Sequence, residues 1–283
     1  MPNHPAIEAG RAAVITGGAS GIGLAAAKRF AGFGMKIAIA DLDPSALEAA
    51  AAAIDDSVPG GGTRVITVPC DVSRMEEVQA LRERVYDAFG DVAVLMNNAG
   101  TAPGGGPFDH YDRWQRVIGV NLWGVINGVH AFSPAMIGQG NAAMIVNTGS
   151  KQGITCPPGD TAYNVSKAGV KVITEGLQHS LRNIEDCRVT AHLLVPGWTF
   201  TTMTAGGATE KPAGAWWPDQ VVDLLFEATG KGDFYIICPD NDVTREMDAR
   251  RMLWAAGDIA ENRPPLSRWH GGYDEAFAAF LKS

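Results

Sequence analysis

Apolar positions along the chain fall into two alternating patterns. Short continuous apolar runs recur, and between them lie longer stretches whose apolar residues are spaced three and four apart. The first pattern reads as a buried strand and the second as an amphipathic helix. Residues 12–16 form the first such run, followed by a glycine-rich turn and a helix with Leu24, Ala27, Phe30 and Ala31 on one side. Residues 35–40 form a second strand ending at Asp41, and an alanine-rich helix over 46–54 closes at Pro59 and three glycines. A third strand over 64–69 leads into Cys70-Asp71-Val72. Ser73 with Glu76 three residues on then predicts a capping box for a helix reaching Phe89.

A fourth strand over 92–96 runs into Asn97-Asn98-Ala99-Gly100, and a Gly/Pro loop separates it from a long helix over 114–137. Residues 143–148 are a fifth strand, 161–183 a helix, 188–195 a sixth strand, 219–229 a helix and 233–238 a seventh strand. This alternation predicts βαβ units and a parallel sheet, an α/β fold. No internal repeat or linker interrupts it. One domain over 1–283 is expected, with a core over about 10–240 and a partly helical C-terminal extension over about 241–283. Ligands on such a sheet bind at the carboxyl ends of the strands, where Gly17, Asp41, Asp71 and Asn97 all fall.

The turn after the first strand reads Thr16-Gly17-Gly18-Ala19-Ser20-Gly21-Ile22-Gly23. Strand, glycine loop, helix is the context a dinucleotide needs, because backbone amides and the positive end of the helix meet a pyrophosphate there. An acid at the end of the second strand is placed to accept hydrogen bonds from an adenosine ribose. Asp41 would also repel a 2′-phosphate, and neither Ser20 nor Leu42 supplies a compensating cation. NAD is therefore the expected cofactor. The alternative reading of Asp41 is a solvated acid capping the next helix.

Tyr163 and Lys167 are four apart and share one helical face. A phenol with an ordinary pKa of about 10 is a poor base near pH 7, but an ammonium one turn away favours the phenolate. Taken alone, the pair also fits an exposed helix surface. Asn121 lies within the long helix, either as an exposed polar position or as a buried amide that orders water or backbone.

Taken together, Thr16-Gly17-x-x-x-Gly21-x-Gly23, Asn97-Asn98-Ala99-Gly100, Asn121, Ser150, Tyr163-x-x-x-Lys167 and Pro196-Gly197 closely resemble the short-chain dehydrogenase/reductase family, with Ser150 preceding Tyr163 by 13 residues. The resemblance spans about residues 10–240. It implies an α/β, doubly wound parallel sheet, a Rossmann-like single domain with helices on both faces, that moves hydride between a nicotinamide and a carbon bearing oxygen. It also implies roles: Tyr163 as general acid/base, Lys167 as the group that lowers its pKa and holds the nicotinamide ribose, Ser150 on the substrate oxygen, and Asn121 at the head of a water chain from Lys167.

By the same resemblance Thr16, Gly17, Ser20, Gly21, Ile22 and Gly23 line the pyrophosphate side, and Asp41 and Leu42 the ribose. Asp71 and Val72 border the adenine, and Asn98, Ala99 and Gly100 border the cofactor or steady the sheet. Pro196, Gly197, Thr199 and Thr201 approach the carboxamide, with Thr199 in place of the family's usual valine. The family's Val-Asp-Gly-Gly ending is absent, replaced by Phe234-Tyr235-Ile236-Ile237-Cys238-Pro239. The extension beyond it covers the pocket, packs on a neighbouring subunit, or does neither; subunit packing is favoured.

The segments that form the pocket in this family hold Gln152, Ile154, Cys156, Pro157 and Pro158 after Ser150, and Trp198, Phe200 and Met203 after Pro196. With Ser150 and Tyr163, Gln152, Cys156, Pro157, Trp198 and Met203 are the expected substrate contacts. Their apolar character suits a bulky or ring-bearing secondary alcohol or its ketone; Trp216 and Trp217 read either as part of that aromatic lining or, equally, as core or interface residues. The function expected is an NAD-dependent secondary-alcohol dehydrogenase or ketone reductase. The alternatives are a regulatory or scaffold NAD-binding protein without turnover, which usually lacks a catalytic residue, and an epimerase or dehydratase, which needs a longer C-terminal substrate domain.

Composition narrows the partners. A net charge of -8 argues against a basic surface for nucleic acid, and no apolar run is long enough to span a membrane. The N-terminal residues show no signal-peptide pattern. Four scattered cysteines without a CxxC, and six unclustered histidines, point to no disulfide and no metal site. A cytoplasmic protein acting on a small molecule is expected, and the family resemblance implies a homotetramer or homodimer formed through the helices that carry Asn121 and Tyr163.

Overall fold

The computed structural model describes residues 3–282. Seven strands, β1 (Ala12–Thr16), β2 (Lys36–Asp41), β3 (Val65–Pro69), β4 (Val94–Asn97), β5 (Ala143–Thr148), β6 (Val189–Val195) and β7 (Tyr235–Ile237), form one sheet in the order β3-β2-β1-β4-β5-β6-β7. Every pairing is parallel. The direction of winding reverses between β1 and β4, and that switch point opens a crevice beyond the strand ends.

Both faces of the sheet are covered, so the strands are mainly apolar runs rather than a strict alternation with polar residues. In β1, Ala13 and Ile15 point into one core layer with Phe30 and Phe226, under α1 (Gly21–Gly32) and α8 (Pro218–Lys231). Ala12 and Val14 point into the other layer with Leu81, Phe132 and Met136, under α3 (Met75–Phe89) and α5 (Gly124–Gly138). Each fully buried side chain of this size contributes about 1.5–3 kcal/mol of transfer free energy. Helix α2 (Pro44–Asp55) lies on the first face, with Leu47, Ala50 and Ile54 buried.

Three details differ from the sequence reading. The capping box at Ser73 and Glu76 does not form: α3 begins at Met75, with Arg74 at its N-cap. The Asp71 carboxylate instead captures the Ser73 N–H at 2.9 Å and its hydroxyl at 2.7 Å, and Glu76 accepts from Arg74. A turn closed by Asp71 thus outcompetes the serine as a cap. The long helix starts earlier, at α4 (Tyr111–Ile118), and is not uniform, since a π-helical turn (Gly119–Trp123) joins α4 to α5. Finally, β7 is confined to three residues.

The remaining elements are α6 (Gln152–Thr155), α7 (Thr161–Leu181), α9 (Arg245–Ala260), α10 (Asp274–Phe280) and two 3-10 turns, Ser267–Trp269 and Gly271–Tyr273. The extension builds its own small core. Buried Trp254 meets Phe277 and Phe280 edge-on at 5.3 Å and carries the Arg263 guanidinium 4.1 Å from its ring centre. Among the described residues, no helix is long and apolar enough to cross a membrane.

Candidate active site

A cleft of about 940 Å³ opens at the carboxyl edge of the sheet, lined from one end by the glycine loop and from the other by the turns after β5 and β6. Its size lies at the upper end of the range for small-molecule sites.

At the first end the backbone explains the glycines. Gly17 and Gly21 have φ of +64° and +54°, conformations that side chains rarely adopt. A Cβ on Gly23 would stand 2.1 Å from the Gly17 carbonyl oxygen, so helix and loop approach more closely than any side chain permits. Gly17, Ser20, Gly21 and Ile22 face the cleft at the N-terminus of α1, where oriented amides favour an anion. Gly23 lies behind them, outside the lining. Thr16 is buried: its hydroxyl accepts the N–H groups of Asn98 and Ala99 at 3.0 and 3.2 Å, tying the β1 end to the β4 end. It supports the cradle rather than lining it.

Asp41 and Leu42 line the cleft at the end of β2. The Asp41 carboxylate accepts the Ala19 N–H at 3.1 Å and the Leu42 N–H at 2.8 Å, which presses it against the glycine loop. The cations of the lining are engaged elsewhere: Arg116 donates to Pro103, Lys151 pairs with Asp240 and Asp248, and Lys167 donates to Thr148. Asp71, Val72, Asn98, Ala99 and Gly100 complete this wall. Asn98 donates to the carbonyls of Thr16 and Gly17, both at 3.3 Å, and accepts from the Thr148 hydroxyl. These residues form a cradle of the shape and charge that a dinucleotide requires.

The candidate catalytic residues meet at the other end. Ser150 follows β5 and Tyr163 lies in the first turn of α7, and both line this end of the cleft. Burial raises the Tyr163 phenol above its ordinary value and Asp160 adds to this, while the nearby Ser150 hydroxyl works in the opposite direction. Lys167, one turn on, is buried; its ammonium donates to the Thr148 carbonyl at 2.8 Å and lies 5.7 Å from the Tyr163 ring centre. Burial lowers its own pKa to about 8. Burial thus works against the charged form of both groups, raising the phenol and lowering the ammonium.

Asn121 is wholly buried in the π-helical turn, outside the lining. Its amide accepts the Thr101 N–H at 2.7 Å and donates to the Thr101 carbonyl at 3.0 Å and the Ser166 hydroxyl at 3.2 Å. It clamps the strand-end backbone against the start of the α7 helix face that carries Ser166. A Cβ on Gly100 would lie 3.5 Å from Asn121 Oδ1 and 3.8 Å from Lys167 Nζ, which shows how tightly the three segments meet.

Of the expected substrate contacts, Gln152, Trp198 and Met203 line the cleft, as do Pro196, Gly197, Thr199 and Thr201. Cys156 and Pro157 do not. Cys156 ends α6 in a left-handed conformation with its thiol pKa raised by burial, and the Pro157 carbonyl is taken by the Asn164 amide at 2.7 Å. Trp216 packs on the core, whereas Trp217 is half exposed and edge-on to Phe200.

One residue that sequence reasoning missed is Asp160, in the cleft wall. Its carboxylate accepts the N–H groups of Gly104 and Gly105 as well as that of Tyr163, at 2.9–3.1 Å. An Asp directly before the predicted helix was a visible N-cap signal; its grip on a loop more than fifty residues away was not.

Residues 11–211 match the family model for short chain dehydrogenase. The chain belongs to the short-chain dehydrogenase/reductase family. Within that family it is 31% identical over 265 residues to a 1-deoxy-11-beta-hydroxypentalenate dehydrogenase of Streptomyces exfoliatus, covering 92% of this chain and 94% of that protein. A crystal structure of a family member from Burkholderia phymatum in complex with NAD superposes with a TM-score of 0.81 at 34% identity, covering 92% of this chain and 97% of that one. A metagenomic short-chain oxidoreductase in complex with NADP gives a TM-score of 0.68 at 27% identity, covering 82% of this chain and 98% of that one. As a family member the protein is an oxidoreductase of hydroxyl compounds that uses a nicotinamide cofactor.

Proposed function

We propose that the protein is an NAD-dependent dehydrogenase that interconverts a bulky, apolar or ring-bearing secondary alcohol and its ketone. The observation that carries the reading is the meeting of Ser150, Tyr163 and Lys167 at one end of a cleft whose other end is the glycine cradle. A bound nicotinamide would supply the hydride acceptor or donor for the carbinol carbon. Tyr163 exchanges the hydroxyl proton with the same substrate, and Ser150 donates to the substrate oxygen, so two donors meet the charge that develops there. Lys167 holds the ribose side and its charge favours the phenolate whenever it is protonated.

Gly17, Ser20, Gly21 and Ile22 would hold the pyrophosphate, and Asp41 the adenosine ribose. The absence of a free cation among the lining residues beside Asp41 supports NAD over NADP, as does the likeness to a structure in complex with NAD. Trp198 and Met203, both half exposed at the mouth, supply apolar surface for a ring system. A cytoplasmic homo-oligomer completes the proposal.

The test is NADH formation, followed at its nicotinamide absorbance, across secondary alcohols of increasing bulk, first with NAD and then with NADP. Turnover of aryl or cyclic alcohols with NAD is the expected result. Turnover only with NADP would overturn the Asp41 reading. No turnover in either direction, with NADH still bound, would overturn the enzyme.

A further inference from the structure

A knot of buried charge lies directly behind Ser150. The Lys151 ammonium stands 2.7 Å from a carboxylate oxygen of Asp248 and 3.4 Å from one of Asp240, and the three side chains are only 16%, 4% and 8% exposed. Lys151 follows the serine at the end of β5. Asp240 follows β7, and Asp248 lies in the first turn of α9. Arg251, in the next turn of α9, adds its attraction to the Asp248 carboxylate.

Two further contacts carry this charge into the cleft wall. The Asp240 oxygen that faces Lys151 also accepts the Trp198 N–H at 3.2 Å. Gly197 is pressed against the same pair, since a Cβ there would lie 2.8 Å from that oxygen and 3.0 Å from the Lys151 ammonium. On the other side, the Lys151 carbonyl accepts the N–H groups of Ile154 and Thr155 and so starts α6, while the Ser150 hydroxyl accepts the Gln152 N–H at 3.2 Å. One ammonium thus joins the Ser150 turn, the 196–198 loop, the end of β7 and the extension. The first two carry Ser150 and Trp198.

Burying an ion pair is a poor route to stability, because desolvation offsets most of the attraction. Its specific yield is geometry: a charge with two fixed partners holds their backbones in one arrangement, and catalysis is sensitive to displacements of about 1 Å.

We propose that Lys151 is a positioning residue, through which α9 of the C-terminal extension sets the Ser150 hydroxyl and the Trp198 wall relative to Tyr163. This rests on the dehydrogenase reading above for its catalytic half. Lys151 need not touch the substrate.

The test uses the full-length protein and the variants K151M, D248N and K151M/D248N, with K231M, on the exposed face of α8, as a surface control. Amide hydrogen exchange reads the geometry without any turnover: in K151M and D248N, segments 150–156 and 197–204 should exchange faster while 17–23 stays protected. In the kinetics, kcat/KM for the alcohol should fall by about 10- to 100-fold with the KM for the cofactor within about twofold. The double variant should lose no more than K151M alone, because both substitutions break one link.

Unchanged exchange and kinetics in K151M and D248N would overturn the proposal, as would equal losses toward cofactor and alcohol. If K151M does not fold, D248N, which keeps size and an acceptor, carries the same comparison. If the wild type turns over no alcohol yet the two segments loosen together, the dehydrogenase reading fails and the linkage stands on the exchange data.

Discussion

The Lys167 ammonium donates to the Thr148 carbonyl at 2.8 Å while lying 5.7 Å from the centre of the Tyr163 ring, so the lysine is anchored to the end of β5 rather than to its helical neighbour. That anchor fixes where the charge sits relative to both Ser150 and Tyr163, and it does so in a buried place that works against the charge.

Burial of Lys167 has a measurable cost. Its pKa falls from the ordinary 10.5 to about 8. Between those values the unfolded chain keeps a proton that the folded chain has lost, so stability rises as pH climbs from about 8 to about 10.5; below 8 the full penalty applies, about 3 kcal/mol. Denaturant unfolding of wild type and Lys167→Met should therefore diverge. The wild type should gain about 2 kcal/mol relative to the variant between pH 7 and 9.5. Parallel pH profiles would refute the assignment.

Tyr163 sits above its ordinary pKa because it is buried, with Asp160 adding to the shift. The phenol is the prevailing form at neutral pH, which suits ketone reduction. Alcohol oxidation, which needs the phenolate, should accelerate from pH 7 to 10, and reduction should decline at the alkaline end. Tyr163→Phe should lower kcat by about 10²- to 10⁴-fold in both directions. NADH affinity, read by fluorescence titration, should stay within a few-fold.

Cofactor choice can be moved at the end of β2. Asp41→Ser with Leu42→Arg removes the carboxylate and adds a cation where a 2′-phosphate would lie. The ratio of kcat/KM for NADP over NAD should rise by about a hundredfold, equivalent to about 2.7 kcal/mol. The substitution also frees the Ala19 N–H from its partner, so absolute rates should fall. A ratio unmoved by the change would remove Asp41 from cofactor selection.

Gly23→Ala places a methyl 2.1 Å from the Gly17 oxygen and 2.7 Å from the Asn98 amide. Relief requires α1 to move away from the loop. Overpacking of this kind costs about 1–3 kcal/mol, and NADH affinity should drop at least about tenfold as the cradle opens. A melting curve and a fluorescence titration check the two effects separately.

Much of this site was legible in the sequence because its signals are local. Gly17, Gly21 and Gly23 answer to the backbone of one turn. The Tyr163–Lys167 spacing answers to the helical repeat, and Asp41 to the end of one strand. Ser73 misled for the opposite reason: it carries a local cap signal, but Asp71, two residues away, holds it in a turn of its own. Cys156 and Pro157 were placed in the cleft by nearness to Ser150 in the chain, and the α6 turn carries them out of it.

What the sequence by itself determined is the succession of elements, the parallel sheet and the residues at its carboxyl edge, because short apolar runs, the 3.6-residue helical period and glycine turns are set within short windows. The tertiary structure alone decided which of those residues meet. It put Asp248 of the extension against Lys151, closed Asp160 on Gly104 and Gly105, and turned the Asn121 amide onto Thr101. It also raised Tyr163 and lowered Lys167, because a pKa depends on the water removed by every segment packed around the group, and no spacing along the chain records that.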